Sequence, residues 1–140
     1  MWFNPIMIWL LKSPLHFFVS KNMMLINFTG RKSGNQYTIP VNYLQDGDTL
    51  YTTSWRERTW WRNLRDGKVV SLRLRGENVE ATPEVTESDE RVAALLSTYF
   101  QLAPNMARYF EVGLDPEGQP LPDDISTAAK TRIIVQFKTQ

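Results

Sequence analysis

Apolar and polar residues alternate with a period of two in several short runs of the chain, as expected for strands that bury one face. These runs predict about six strands, at residues 23–28, 36–44, 49–54, 69–74, 79–85 and 131–137. The sequence Asp46-Gly47-Asp48 predicts a tight hairpin between the second and third strands. Pro40 falls within the second strand, so we expect an edge strand or a bulge at this position.

Helices are predicted where apolar residues recur at spacings of three and four. A short helix is expected over residues 58–65, and a longer one after residues 86–90, whose hydroxyl and acidic side chains are typical of a helix N-terminus. Another short helix follows Pro104, and residues 113–124 are expected to form a loop. The pattern therefore predicts a mainly β, α+β fold in which about six strands form a small barrel with flanking helices.

Residues 1–24 are apolar but are interrupted by Lys12, Pro14 and His16. The run lacks the positive residues that begin a signal peptide and the roughly 20 uninterrupted apolar residues of a membrane span. We expect an N-terminal apolar helical segment of one or two short helices, split at Ser13-Pro14. This segment would pack on the core, form the contact of a homodimer, or lie as a lid on a membrane surface.

The composition removes several classes of site. A length of 140 residues is that of one domain, spanning 1–140. The absence of cysteine excludes disulfides, thiolate nucleophiles and metal–thiolate sites, and it is compatible with a cytoplasmic protein. His16 is the only histidine, so the sequence predicts no His-based metal site.

The charge is unevenly distributed along the chain. Residues 1–75 carry 11 basic and 4 acidic side chains, whereas residues 76–124 carry 2 basic and 11 acidic ones. A nucleic-acid-binding protein normally has a broad basic surface. The local excess in the first half instead favours a confined anion site.

The sequence Gly30-Arg31-Lys32-Ser33-Gly34 is the first candidate for that anion site. Its two glycines permit turn conformations in which neighbouring backbone N–H groups converge on one anion. Arg31 adds a planar fork for phosphate, Lys32 a point charge and Ser33 a neutral donor. Taken alone, the turn is more typical of an ordinary charged hairpin than of an anion site.

Residues 53–64 form the second candidate, because they combine hydroxyls with three tryptophans and three arginines. A planar heterocycle needs an apolar surface for stacking and a few polar partners for its ring atoms, and this segment contains both. Adjacent helical residues face different directions. At least one of Trp60 and Trp61 is therefore expected to be a core residue.

With these motifs the chain resembles the deazaflavin-dependent nitroreductase family, which belongs to the flavin/deazaflavin oxidoreductases of the split β-barrel (FMN-binding-like) fold. The resemblance rests on the turn 29–34, on Pro40, on the hairpin 46–48 and on the sequence 60–64, in this order and at similar spacing. It covers residues 25–85 well and the flanks more loosely. It implies an oxidoreductase that transfers hydride from reduced coenzyme F-420, or alternatively uses FMN, and reduces a small nitro, quinone or enone acceptor.

The resemblance also implies a set of site residues. The turn would hold the cofactor phosphate, the start of the second strand would follow its tail or ring edge, and the segment after the third strand would enclose the ring. The implied cofactor-binding residues are Arg31, Lys32, Ser33, Tyr37, Thr38, Ile39, Thr53, Ser54, Trp55, Arg56, Thr59, Trp60, Trp61, Arg62 and Asn63. Met106 and Tyr109 would line the substrate pocket, with Ser54 or Tyr109 as the catalytic proton donor.

Two departures from the family pattern bear on the choice of cofactor. Tyr37 stands where the nitroreductase has an arginine, and the segment between Ser54 and Trp60 is shorter, so FMN stays an alternative to F-420. A second function is a non-catalytic carrier that binds FMN, haem, another tetrapyrrole or a lipid in the same barrel. A third, single-strand nucleic-acid binding, is disfavoured by the acidic residues 76–124.

Overall fold

The structure is a computed structural model and describes residues 23–139; the predictions for the N-terminal segment lie outside these residues. It contains a curled, antiparallel, seven-stranded half-barrel with strand order β2-β1-β5-β6-β7-β4-β3. The strands are β1 (Met23–Thr29), β2 (Gln36–Asn42), β3 (Leu44–Asp46), β4 (Thr49–Trp55), β5 (Val70–Leu74), β6 (Glu77–Thr86) and β7 (Arg132–Thr139).

The prediction of about six strands was wrong by one, because the predicted strand 36–44 is two strands. The chain leaves β2 at one edge of the sheet and enters β3 at the other edge with only Tyr43 between them. The two parts pair with different partners, β1 and β4, so one extended run forms both edges of the half-barrel. Pro40 lies in β2 opposite Leu25 in an unbroken register, so it marks an edge strand and not a bulge.

Most of the helices cover one side of the sheet, and one 3₁₀ helix packs into the inside of the half-barrel. α1 (Asp89–Leu102) begins as predicted, at a Ser88 side chain that accepts a hydrogen bond from the Arg91 backbone N–H at 3.3 Å. The predicted helices near residues 58–65 and after Pro104 are 3₁₀ helices, Trp60–Leu64 and Pro104–Phe110. The loop predicted over 113–124 ends earlier than expected, because α2 (Pro122–Ala129) starts with proline at its first turn.

β7 shows how the sequence divides the interior into two cores. Ile133, Val135 and Phe137 face the inside of the half-barrel, whereas Ile134 faces the opposite side and packs with the helices. A strand that is covered on both faces needs this continuous apolar run in place of alternation. In the part of the chain that the structure describes, no helix combines the length and hydrophobicity needed to cross a membrane.

Candidate active site

Two cavities meet at Trp60, which lines both of them. The first, here named the basic cavity, has a volume of about 800 Å³ and lies between the turn after β1 and the first 3₁₀ helix. The second, here named the aromatic cavity, has a volume of about 670 Å³ and lies between β2, the end of β4 and the second 3₁₀ helix. Both volumes are within the range typical of small-molecule and cofactor sites.

The turn at the basic cavity is stabilised by its own backbone hydrogen bonds. The Gly30 N–H donates to the Asn35 carbonyl at 2.8 Å, and the Gly34 N–H donates to the Gly30 carbonyl at 2.9 Å. The Arg31 N–H donates to Asn63 Oδ1 at 3.0 Å and so links the turn to the 3₁₀ helix. The N–H groups of Gly30, Arg31 and Gly34 are therefore engaged within the fold, and the convergence of neighbouring backbone N–H groups on an anion stays a prediction.

Cations at the rim of the basic cavity lack ion-pair partners. Among residues 23–139, Arg31, Lys32 and Arg62 form no salt bridge, and no carboxylate lines the cavity. Arg65 differs, because Glu87 holds it in a two-pronged ion pair at 2.9 and 2.8 Å that raises the pKa of the guanidinium. Like charges gathered at one rim repel each other, and an anionic ligand relieves that repulsion.

The walls of the basic cavity include Tyr37, which takes the place of the arginine expected from the resemblance. Its ring stacks on Phe28 with centroids 5.6 Å apart, and its hydroxyl lies 3.2 Å from Ser33 Oγ. Tyr37 therefore contributes a flat apolar surface and holds the Ser33 hydroxyl in place. The sequence-predicted residues on this cavity are Arg31, Lys32, Ser33, Tyr37, Ile39, Thr59, Trp60, Arg62 and Asn63.

The aromatic cavity contains both residues predicted to donate a proton, but in different environments. Ser54 is buried, accepts a hydrogen bond from Trp60 Nε1–H at 3.2 Å and donates its own proton to the Trp55 carbonyl at 3.1 Å. Tyr109 is 58% exposed, and its hydroxyl accepts a hydrogen bond from the Arg108 guanidinium at 2.9 Å. The Ser54 proton is thus engaged in the cavity wall, whereas the Tyr109 hydroxyl donates to no residue in the range 23–139. The sequence-predicted residues on this cavity are Thr53, Ser54, Trp55, Trp60, Met106 and Tyr109.

Three sequence-predicted site residues line neither cavity. Arg56 is turned towards the helices, where it pairs with Asp89 at 2.9 Å and donates to the Ala129 carbonyl at 2.8 Å. Thr38 donates to the Asn27 side chain at 2.6 Å across the strand pair. Trp61 is buried inside the half-barrel, as expected for one of two adjacent tryptophans.

Several cavity residues were missed by the sequence reasoning. Arg65 follows Arg62 at helical spacing and was the easiest to find. Tyr99 and Arg132 reach the aromatic cavity from α1 and β7, which are distant in sequence from the motifs. Arg132 pairs with Trp55 across β7 and β4, so knowledge of that strand register would have identified it.

Solved structures with similar folds have low sequence identity to this chain. A Listeria innocua protein provisionally described as a pyridoxamine 5′-phosphate oxidase has 13% identity and a TM-score of 0.55, over 90% of each chain. A structure described as an F-420-H2 dependent reductase has 14% identity and a TM-score of 0.50, over 86% of this chain and 95% of its own. A structure described as a domain-swapped dimer has 14% identity and a TM-score of 0.54, over 86% and 82% of the two chains. These likenesses support the split-barrel class, and a homodimer of this chain stays a prediction.

The sequence matches a family described as F420H(2)-dependent quinone reductase over residues 15–113. It matches no curated protein. The cavities fit such a cofactor, since the unpaired cations of the basic cavity suit a phosphorylated tail and the walls beside Trp60 suit a planar ring. Because the match extends over most of its length, this chain belongs to the F420H(2)-dependent quinone reductase family and is an oxidoreductase whose cofactor is coenzyme F-420.

Proposed function

We propose that this protein reduces a small quinone with hydride from F-420, and that nitro compounds and enones are alternative acceptors. The observation that carries the proposal is the junction at Trp60 of a cation-rich cavity and an aromatic cavity. An elongated cofactor with an anionic tail and a planar ring needs two such environments side by side. When bound, the reduced cofactor supplies the hydride; the protein supplies binding, orientation and a proton.

The basic cavity is assigned to the phosphorylated tail. Arg31 and Lys32 lie on the turn and Arg62 lies on the 3₁₀ helix, so charge reaches the phosphate from two elements. Asn63 connects these elements through the Arg31 N–H and so fixes the spacing between their cations. Ser33 adds a hydroxyl whose position is set by Tyr37.

The aromatic cavity is assigned to the cofactor ring and the acceptor. Thr53, Ser54 and Trp60 line this cavity, and Ser54 is hydrogen-bonded to Trp60, the residue shared with the basic cavity. Met106 and Tyr109 lie on the second 3₁₀ helix and complete the pocket for the acceptor. Aromatic side chains in these walls, Trp55, Trp60 and Phe110, offer flat apolar surfaces to the ring and to the acceptor.

Tyr109 is assigned as the proton donor to the acceptor oxygen. Its hydroxyl donates to no residue in the range 23–139, and the hydrogen bond that it accepts from Arg108 orients it. The Tyr109→Phe variant is expected to lower kcat for a quinone by about 10-fold to 100-fold, because water replaces the phenol only in part. The dissociation constant for F-420 is the internal control and is expected to stay the same. If kcat stayed unchanged in Tyr109→Phe, solvent and not Tyr109 would be the proton donor.

Gly30 tests whether the shape of the turn matters for binding. A Cβ at this position would lie 2.6 Å from the Tyr37 ring and 2.8 Å from Ser33 Oγ, so Gly30→Ala must displace both side chains. We expect the affinity for F-420 to fall about 10-fold, the effect of losing one good hydrogen bond to a charged group. Gly34→Ala is the matched control, because a Cβ there meets nothing within 4 Å and strains only a backbone at φ +73°. Titration of both variants checks the difference.

The proposed function is tested by titrating the purified protein with F-420, FMN and haem, followed by turnover assays with menadione and a nitroaromatic compound. We expect F-420 to bind most tightly and its reduced form to be oxidised in the presence of menadione. Tight binding of any of the three without turnover would favour the carrier function. If FMN bound more tightly than F-420, the basic cavity would be assigned to the phosphate of FMN.

A further inference from the structure

Arg132, the first residue of β7, has an unusual position in the wall of the aromatic cavity. Its guanidinium carbon lies 3.5 Å from the centroid of the Trp55 ring and 4.5 Å from that of the Phe110 ring. Cation–π contacts of this kind hold a guanidinium plane against aromatic faces and leave its N–H groups at the edge available. The two rings therefore fix the orientation of Arg132 without satisfying its donors.

The Arg132 side chain forms no hydrogen bond and no salt bridge with any residue in the range 23–139. Burial lowers the pKa of the guanidinium, while the charges of Tyr99, Glu111 and Glu57 act in the opposite direction. Arginine stays charged in proteins even so. The Arg132 side-chain nitrogens are reached by solvent, so a ligand with a negative or strongly polar oxygen can take the place of water at these donors.

The surroundings of Arg132 also suit an oxygen ligand. Tyr99 lines the same cavity, and burial raises the pKa of its phenol despite the nearby positive charge of Arg132, so it stays a protonated donor. Arg58 is a second cation on the lining, and no carboxylate among the described residues is part of it. Arg132 and Tyr99 therefore present donors to this cavity from β7 and α1, which suits a negative or strongly polar oxygen.

We propose that Arg132 is a specificity residue that selects planar aromatic acceptors carrying an anionic oxygen group, such as a carboxylate, a sulfonate or an ionised hydroxyl. The inference rests on the proposed function, because it assigns the acceptor to the aromatic cavity. Trp55 and Phe110 orient the guanidinium, and its free edge forms a two-pronged contact with the anionic group. The aromatic walls hold the ring of the acceptor.

Binding of an unreactive ligand tests this directly, without turnover. Naphthalene-2-sulfonate and its neutral analogue naphthalene-2-sulfonamide are titrated into the apoprotein, with tryptophan fluorescence as the signal because Trp55 contacts Arg132. We expect the wild-type protein to prefer the sulfonate by about 10-fold or more, and Arg132→Gln to abolish the preference by weakening sulfonate binding alone. Arg132→Lys retains the charge but not the planar fork, so an intermediate preference is expected.

The matched control is Arg91→Gln, which removes the same charge at another site. Arg91 is an exposed residue of α1 and pairs with Glu84 at 3.5 Å. It is expected to leave both affinities unchanged. Thermal unfolding of each variant confirms that Arg132→Gln and Arg132→Lys are folded. Equal binding of the sulfonate and the sulfonamide by the wild-type protein would overturn the proposal.

Steady-state kinetics separate this inference from the proposed function. With 1,4-naphthoquinone and 1,4-naphthoquinone-2-sulfonate as acceptors, Arg132→Gln is expected to raise KM for the sulfonate by about 10-fold and to leave KM for the neutral quinone unchanged. A loss of F-420 affinity in Arg132→Gln, with no change in acceptor preference, would assign Arg132 to the cofactor ring and overturn the proposal. If neither quinone is reduced but the sulfonate still binds through Arg132, the proposed function fails and the anion site stands.

Discussion

Replacing Arg31 and Lys32 together by alanine is expected to weaken the binding of F-420 by about 100-fold, or about 2.7 kcal/mol. Both side chains lie on the turn at the basic cavity, and neither forms a salt bridge within residues 23–139. Their charges are therefore available to the phosphorylated tail. Each charge-assisted hydrogen bond contributes about 1.5–3 kcal/mol, and we take the lower end because both residues are exposed.

The control for this double variant is Lys68→Ala with Lys138→Ala. It removes the same charge from two exposed lysines that line neither cavity of the candidate active site. Cofactor titrations at several salt concentrations complete the test, because contacts between exposed charges are screened by salt. We expect a strong salt dependence in the wild-type protein and the control, and a weak one in the variant. If the Arg31/Lys32 variant bound F-420 as tightly as the wild-type protein does, the phosphate would have to bind elsewhere.

Much of the sheet was predictable, because a period of two in apolar residues directly reflects which side chains face the interior. β7 is the clearest example, with Ile133, Val135 and Phe137 on one face. The division of the strand 36–44 was not predictable, since Tyr43 and its neighbours stay extended and only their partners change. The period of apolar residues shows which face of the sheet a side chain occupies. It does not show which other strand is the pairing partner.

The candidate site was predictable where it is local in sequence. Arg31, Lys32 and Arg62 reach one cavity because the turn and the 3₁₀ helix lie side by side, joined by the bond from the Arg31 N–H to Asn63. Arg56 lines neither cavity, because its guanidinium is held by Asp89 and the Ala129 carbonyl, both more than thirty residues away in the sequence. Arg132 was missed for the same reason, because its place beside Trp55 depends on the pairing of β4 with β7.

Trp60 and Trp61 are expected to contribute equally to stability and unequally to binding. Both are nearly fully buried in the interior of the half-barrel, at 4% and 3% exposure, so each change to alanine is expected to lower the free energy of unfolding by about 3–5 kcal/mol. Only Trp60 also lines the two cavities, and only its indole N–H donates to the Ser54 hydroxyl. Urea unfolding of the two variants checks the first expectation.

Phenylalanine substitutions separate stability from binding, because they keep an aromatic ring and lose less volume. Trp60→Phe leaves the Ser54 Oγ without its indole donor and reduces the wall shared by the two cavities, so F-420 affinity is expected to fall about 10-fold. Trp61→Phe loses the corresponding bond to the Trp55 carbonyl inside the barrel and is expected to bind F-420 normally. A similar loss of affinity in both variants would mean that the integrity of the half-barrel, and not the junction at Trp60, determines cofactor binding.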